Sequence, residues 1–89
     1  MAKVVLSHKV RDYDTWRPLF DADIERRKST GFTNEQVYRA HDDPNHLYVS
    51  ADIDDLSALR DMMSDPDLAK KMEEGGVISK PEILVLNPA

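Results

Sequence analysis

Cysteine is absent from this 89-residue chain, which excludes a disulfide framework, a thiolate metal site and a thiol nucleophile. With no disulfide to form, a reducing cytoplasm is the expected location. Only three glycines occur, and none forms a glycine-rich turn between a strand and a helix, so a phosphate-cradling loop is excluded. No apolar run approaches the ~18 residues that a membrane span needs, and the start of the chain lacks the apolar core of a signal peptide. A basic excess is missing as well. The net charge of −5 argues against nucleic acid or an anionic membrane as partner, since both demand a basic face. The one basic run, Arg26-Arg27-Lys28, reads as a solvated helix end that complements the helix dipole.

What the chain does contain is an ordered series of periodic segments. Lys3–Val10 alternates like a strand, and Tyr13–Thr30 has helical spacing. Phe32–His41 and His46–Ile53 read as strands around the turn Asp42-Asp43-Pro44-Asn45. Leu56–Glu74 is helical, with a break and restart at Ser64-Asp65-Pro66, and Pro81–Asn87 closes as a strand. Strand, helix, strand, strand, helix, strand predicts an α+β fold, a ferredoxin-like βαββαβ sandwich. It has an antiparallel four-stranded sheet with helices on one face. Residues 1–89 make one such domain. A chain this short buries roughly 60% of its unfolded surface, so association would stabilise it.

The strand patterns sort residues by face. In strand one Val4, Leu6, His8 and Val10 point one way and Val5, Ser7 and Lys9 the other. Strand three sets Leu47, Val49, Ala51 and Ile53 against His46, Tyr48, Ser50 and Asp52. The last strand, Ile83-Leu84-Val85-Leu86, is apolar on both sides and reads as buried on both faces. The sheet face away from the helices is thus half apolar, and a second copy of the chain is its simplest cover. Helix one carries Trp16, Leu19, Phe20 and Ile24 as an amphipathic stripe, with Asp14 or Thr15 as cap and Gly31 as stop. Pro18 fits only a first helical turn. In the second helical region Leu56, Leu59, Met62 and Met63 form the stripe, after a cap by Asp54 or Asp55.

Few residues here bear chemistry. His8 lies among aliphatic residues in a strand expected to be central, where an imidazole can serve as general base or hydrogen-bond partner. Its alternation groups it with the helix-facing set, and a core histidine with a satisfied ring is the plainer reading. Ser7, Tyr38, Tyr48 and Ser50 are the expected lining of the open sheet face, where tyrosines can stack on an aromatic ligand or pack at a dimer interface. Trp16 reads as the core anchor of helix one or as a cavity wall. His41, Asp42, Asp43 and His46 are metal-ligand types packed closely together, but Asp-Asp-Pro-Asn is a β-turn signature. The expectation is therefore no metal, with both histidines flanking a solvated hairpin end. No carboxylate pair is poised for acid–base work.

The segment Val5-Leu-Ser-His-Lys-Val-Arg-Asp-Tyr-Asp-Thr-Trp16, the Asp42-Asp-Pro-Asn45 hairpin and the Ser64-Asp-Pro-Asp-Leu68 restart resemble small bacterial proteins of the dimeric α+β barrel superfamily. More specifically, the chain looks like its antibiotic-biosynthesis-monooxygenase-like and cyclase-annotated members. The resemblance implies a homodimer whose sheets face each other, with a ligand pocket between sheet and helices or inside the barrel. Families it resembles include cofactor-independent monooxygenases acting on polycyclic phenols, polyketide cyclases, lactone isomerases and haem-binding relatives, and the expectation for this chain is a small aromatic or polyketide-like ligand and no bound cofactor. Monooxygenases of this kind often use an Asn, Trp and His arrangement. Trp16 and His8 match the last two roles, strand one and early helix one hold no asparagine, and Asn34 is the nearest alternative.

Two functions stand side by side at this point. In one, the chain is a cytoplasmic homodimer that binds or transforms a small aromatic molecule, as a cofactor-independent monooxygenase or a cyclase or isomerase. His8 would then be the catalytic group, and Ser7, Trp16, Tyr38, Tyr48 and Ser50 would hold the ligand. In the other, it is a non-catalytic dimerisation or stress-response module. The sequence leaves open whether the chain is an enzyme.

Overall fold

The computed structural model describes residues 2–89. Its elements run β1 (Ala2–Lys9), α1 (Tyr13–Ala22), α2 (Ile24–Thr30), β2 (Thr33–Ala40), β3 (Asp43–Ile53), α3 (Leu56–Met63), α4 (Pro66–Glu74) and β4 (Glu82–Leu86). The four strands form one antiparallel sheet in the order β2-β3-β1-β4, so the βαββαβ sandwich expected from the pattern is present. No helix among the described residues is long and apolar enough to cross a membrane.

The first helical segment is two helices. Asp23 breaks it, its N–H bonding Phe20 O at 3.2 Å, and α2 ends at Gly31, whose φ of 97° suits glycine. Asp12 is the N-cap residue of α1, and its side chain binds Thr15 Oγ1 rather than backbone. The cap comes from the hairpin instead, where Asn45 Oδ1 accepts the Tyr13 N–H at 2.9 Å. Pro18 lies beyond the first turn, yet α1 runs on to Ala22. Caps further along follow local chemistry. Asp55 accepts from the N–H groups of Ser57 and Ala58, and Asp65 accepts from that of Asp67 ahead of the Pro66 restart.

The β2–β3 hairpin is tighter than its sequence suggests. Ala40 pairs with Asp43, so the reversal falls on His41-Asp42, and Pro44 and Asn45 belong to β3. A register shift between Arg39 and Ala40 accommodates the proline, and Asp43 Oδ1 holds Asn45 N at 3.0 Å.

On the helix face the core falls into two clusters. Val4, Phe32, Ala51, Ile53, Leu59, Met62 and Leu68 form one, and Val10, Trp16, Leu47 and Val49 form the other. Leu6 packs against both. β4 departs from expectation, because every one of its residues is exposed in the single chain. It is an edge strand beside β1, so residues apolar on both sides remain uncovered.

Candidate functional site

Where the two core clusters meet, a cavity of about 80 Å³ opens between sheet and helices. Leu6, Trp16, Phe20, Met62, Leu68 and Met72 give it apolar walls, and His8, Asp23, Arg26, Arg27 and Lys71 supply the polar groups. His8 is on this helix side, 8% exposed, with its ring edge-on to Trp16 at 5.7 Å. Trp16 in turn stacks on Phe20 at 4.6 Å. Among the described residues, His8 Nε2 is the one buried side-chain polar atom with no hydrogen-bond partner. Burial, and then the proximity of His46, lowers the His8 pKa from its ordinary value, so the ring is neutral at neutral pH. An unpartnered buried polar atom costs about 1–3 kcal/mol. The satisfied core histidine of the plainer reading is therefore not what the fold contains.

Two arginines frame the cavity, and both depart from a solvated helix end. Arg27 is 7% exposed. Its guanidinium lies 3.7 Å from the Phe20 ring centre, donates to Glu35 Oε2 at 2.7 Å and to Phe20 O at 2.7 Å. Arg26 joins α2 to α4 by bonding Asp23 at 3.0 Å, Asp65 at 2.7 Å, and Asp67. Its pKa is raised, most of all by the hydrogen bond to Asp67. Only Lys28 of the basic run behaves as expected, exposed and 3.9 Å from Glu25. Arg27 falls on the helical spacing of Trp16 and Phe20, and that periodicity was the available sign of its burial.

The remaining sequence candidates lie across the sheet. Ser7 pairs with Tyr48, Tyr48 with Tyr38, and Ser50 with both Val5 and Gln36. These side chains share the open face, as the alternation predicts. The fold thus brings Ser7, Tyr38, Tyr48 and Ser50 together and brings His8 and Trp16 together, but it puts the sheet between the two groups. His46 lies on the open face, where the alternation of strand three puts it, and not at a solvated hairpin end: its Nε2 meets Ser7 Oγ at 3.0 Å and its ring lies 4.8 Å from Tyr48. His41 stays exposed in the turn. Asn34 is remote from His8, held at φ 53° on β2 and donating to Asp52 at 2.8 Å.

A four-stranded antiparallel sheet backed by helices, with a small apolar cavity between the layers, defines the class of ferredoxin-like α+β domains. Among solved structures the fold is that of antibiotic biosynthesis monooxygenase-like proteins. One structure of an antibiotic biosynthesis monooxygenase superposes with a TM-score of 0.74 at 14% identity, covering 100% of this chain and 99% of that one. SnoaB, a cofactor-independent oxygenase from Streptomyces nogalater, gives 0.72 at 15% identity, over 99% of this chain and 94% of its own. A Mycobacterium tuberculosis protein gives 0.66 at 18%, over 100% and 96%. At these identities the likeness establishes a shared fold. No family model matches the chain, and no curated protein matches its sequence.

Proposed function

We propose that this protein binds or converts a small aromatic or polyketide-like molecule in the helix-side cavity, as a cytoplasmic homodimer and without a bound cofactor. The observation that carries this reading is His8, whose neutral buried imidazole lies on an otherwise mostly apolar cavity beside Trp16. A neutral imidazole takes a proton from a phenol or an activated C–H, which is the step shared by cyclisation, isomerisation and oxygen addition. For oxygen addition the substrate carries the electrons. A ring CH₂ loses both hydrogens and becomes C=O, and the second oxygen atom of O₂ leaves as water. Trp16 and Phe20 offer the ring a stacking wall.

At about 80 Å³ the cavity is smaller than the ~150 Å³ that accommodates benzene. Entry of a ring system therefore requires its walls to move. Met63 and Met72, partly buried and unbranched, are the side chains suited to do so.

The test uses the single tryptophan of the chain. A hydroxyanthrone should quench Trp16 fluorescence saturably, and His8→Gln should keep the fold while oxygen uptake or product formation is lost. Absence of saturable quenching, or full turnover in the folded His8→Gln variant, would overturn the reading. The alternative of a non-catalytic dimerisation module draws its support from the smallness of the cavity and from the uncovered apolar strand β4. In either case two copies face each other across their open sheets, and light scattering over a dilution series should give a persistent dimer mass.

A further inference from the structure

A second hollow opens on the other side of the sheet, bordered by His8 and nine further residues of which the proposed chemistry uses none. It is a pocket of about 370 Å³, within the ~300–1,000 Å³ range of small-molecule sites. One chain builds it. The segment ahead of β4 is tied to the end of β1 by Ile78 N–H to Lys9 O at 2.9 Å and Lys9 N–H to Ser79 Oγ at 2.8 Å. These bonds bring Ser79 and Lys80 alongside Ser7 and Lys9, while register places His46 opposite Lys9 and Tyr48 opposite Ser7.

The chemistry of the lining is uneven in a useful way. Lys9 and Lys80 both border the pocket and form no ion pair among the described residues, in a chain whose net charge is −5. Glu82 is the one carboxylate in the lining and is likewise unpaired. Ser7 and Ser79 add hydroxyls to the lining, Ser7 Oγ bonded to His46 and Ser79 Oγ accepting from the Lys9 N–H. The floor is aromatic and aliphatic, with the tilted His46–Tyr48 ring pair, Val5 and Leu84. Two cations and hydroxyl groups select a carboxylate, and a ring pair beside aliphatic side chains selects a flat apolar body.

We propose that this open-face pocket is a binding site for a small aromatic carboxylate. The carboxylate lies against Lys9 and Lys80, and the ring lies on His46 and Tyr48. The Ser7–His46 hydrogen bond fixes the imidazole in position as part of that surface. The site shares His8 as a bordering residue with the helix-side cavity, but its carboxylate and ring contacts do not depend on the function proposed there. A second copy facing this sheet would roof the pocket without supplying its floor.

Salicylate is the probe, with salicylamide as its uncharged counterpart, followed by amide chemical-shift perturbation of the whole chain. Salicylate should shift Ser7, His46, Tyr48 and Leu84 saturably, and salicylamide should not. Lys9→Gln combined with Lys80→Gln should weaken the salicylate Kd by about tenfold or more, since two charge-assisted contacts are lost. Both lysines are exposed and unpaired, so this double variant keeps its fold, which its melting curve checks. Shifts confined to Leu19, Phe20, Leu68 and Met72 would assign salicylate to the helix-side cavity and overturn the proposal. So would equal binding of salicylamide, an unchanged Kd in the double variant, or no binding at millimolar salicylate. Quenching of Trp16 reads the other cavity independently, so failure of one proposal is distinguishable from failure of the other.

Discussion

On one side of β1, Val4 and His8 are buried beneath the helices, and on the other, Val5, Ser7 and Lys9 remain partly or fully open. The same strand thus builds two environments one pleat apart. Helix-side groups lose water, so the His8 imidazole is driven neutral and its Nε2 has no partner. Open-side groups keep water, so Ser7 and His46 bond each other cheaply and the two lysines stay solvated. The difference is dielectric before it is chemical. A titratable group is perturbed where the helices cover it, and nearby cations and hydroxyls are free to meet a ligand on the face that the chain's own helices leave open.

That contrast is sharpest at Trp16, 4% exposed, where truncation to alanine should cost about 3–5 kcal/mol of unfolding free energy. A melting temperature that barely moves would erase the distinction between the faces. Next in size is Arg27→Ala, which leaves Glu35 without its partner and removes the guanidinium from Phe20. About 2–3 kcal/mol is expected in urea unfolding, against nearly nothing for the solvated neighbour Lys28→Ala.

His8 makes the contrast pH-dependent. Its folded pKa is lowered from 6.5, so as pH falls the unfolded chain takes up the proton first. The stability contribution is complete above pH 6.5 and is lost as pH falls from there toward the folded pKa. His8→Gln should flatten that part of the stability profile, and an unchanged profile would show that the ring is not driven neutral. Smallest is the effect of Tyr38→Ser on the open face, where the side chain is 55% exposed. Chain unfolding should shift by no more than about 0.5 kcal/mol. The same variant should weaken a dimer whose sheets face each other, so dilution light scattering would show dissociation at higher concentration than for the parent chain. A dimer of unaltered strength would place its interface elsewhere.

Much of this arrangement is legible in the sequence. The alternation in β1 put His8 on the helix side, and that in β3 put Tyr48 and Ser50 on the other. Ser64-Asp65-Pro66 marked the break between α3 and α4, because an aspartate cap and a proline at the first helical position act within one turn. The errors have causes too. Asp42-Asp-Pro-Asn45 looks like the turn, but the strand pairing of Ala40 with Asp43 absorbs three of its residues into β3. Tyr13–Thr30 looks like one helix because its apolar stripe is continuous, and the break at Asp23 interrupts the hydrogen bonds without interrupting the stripe. Ile83–Leu86 looks doubly buried because composition reports what a strand can bury, and position in the sheet decides what covers it.

The sequence by itself determined the element order, the fold class and the face each strand residue occupies, since periods of 2 and 3.6 residues are properties of local backbone geometry. Tertiary structure alone decided that Ser7 meets His46 across 39 residues, and that Arg26 reaches Asp65 across 39 and Asp67 across 41. Strand order and register bring distant residues into contact, and no local period carries that information.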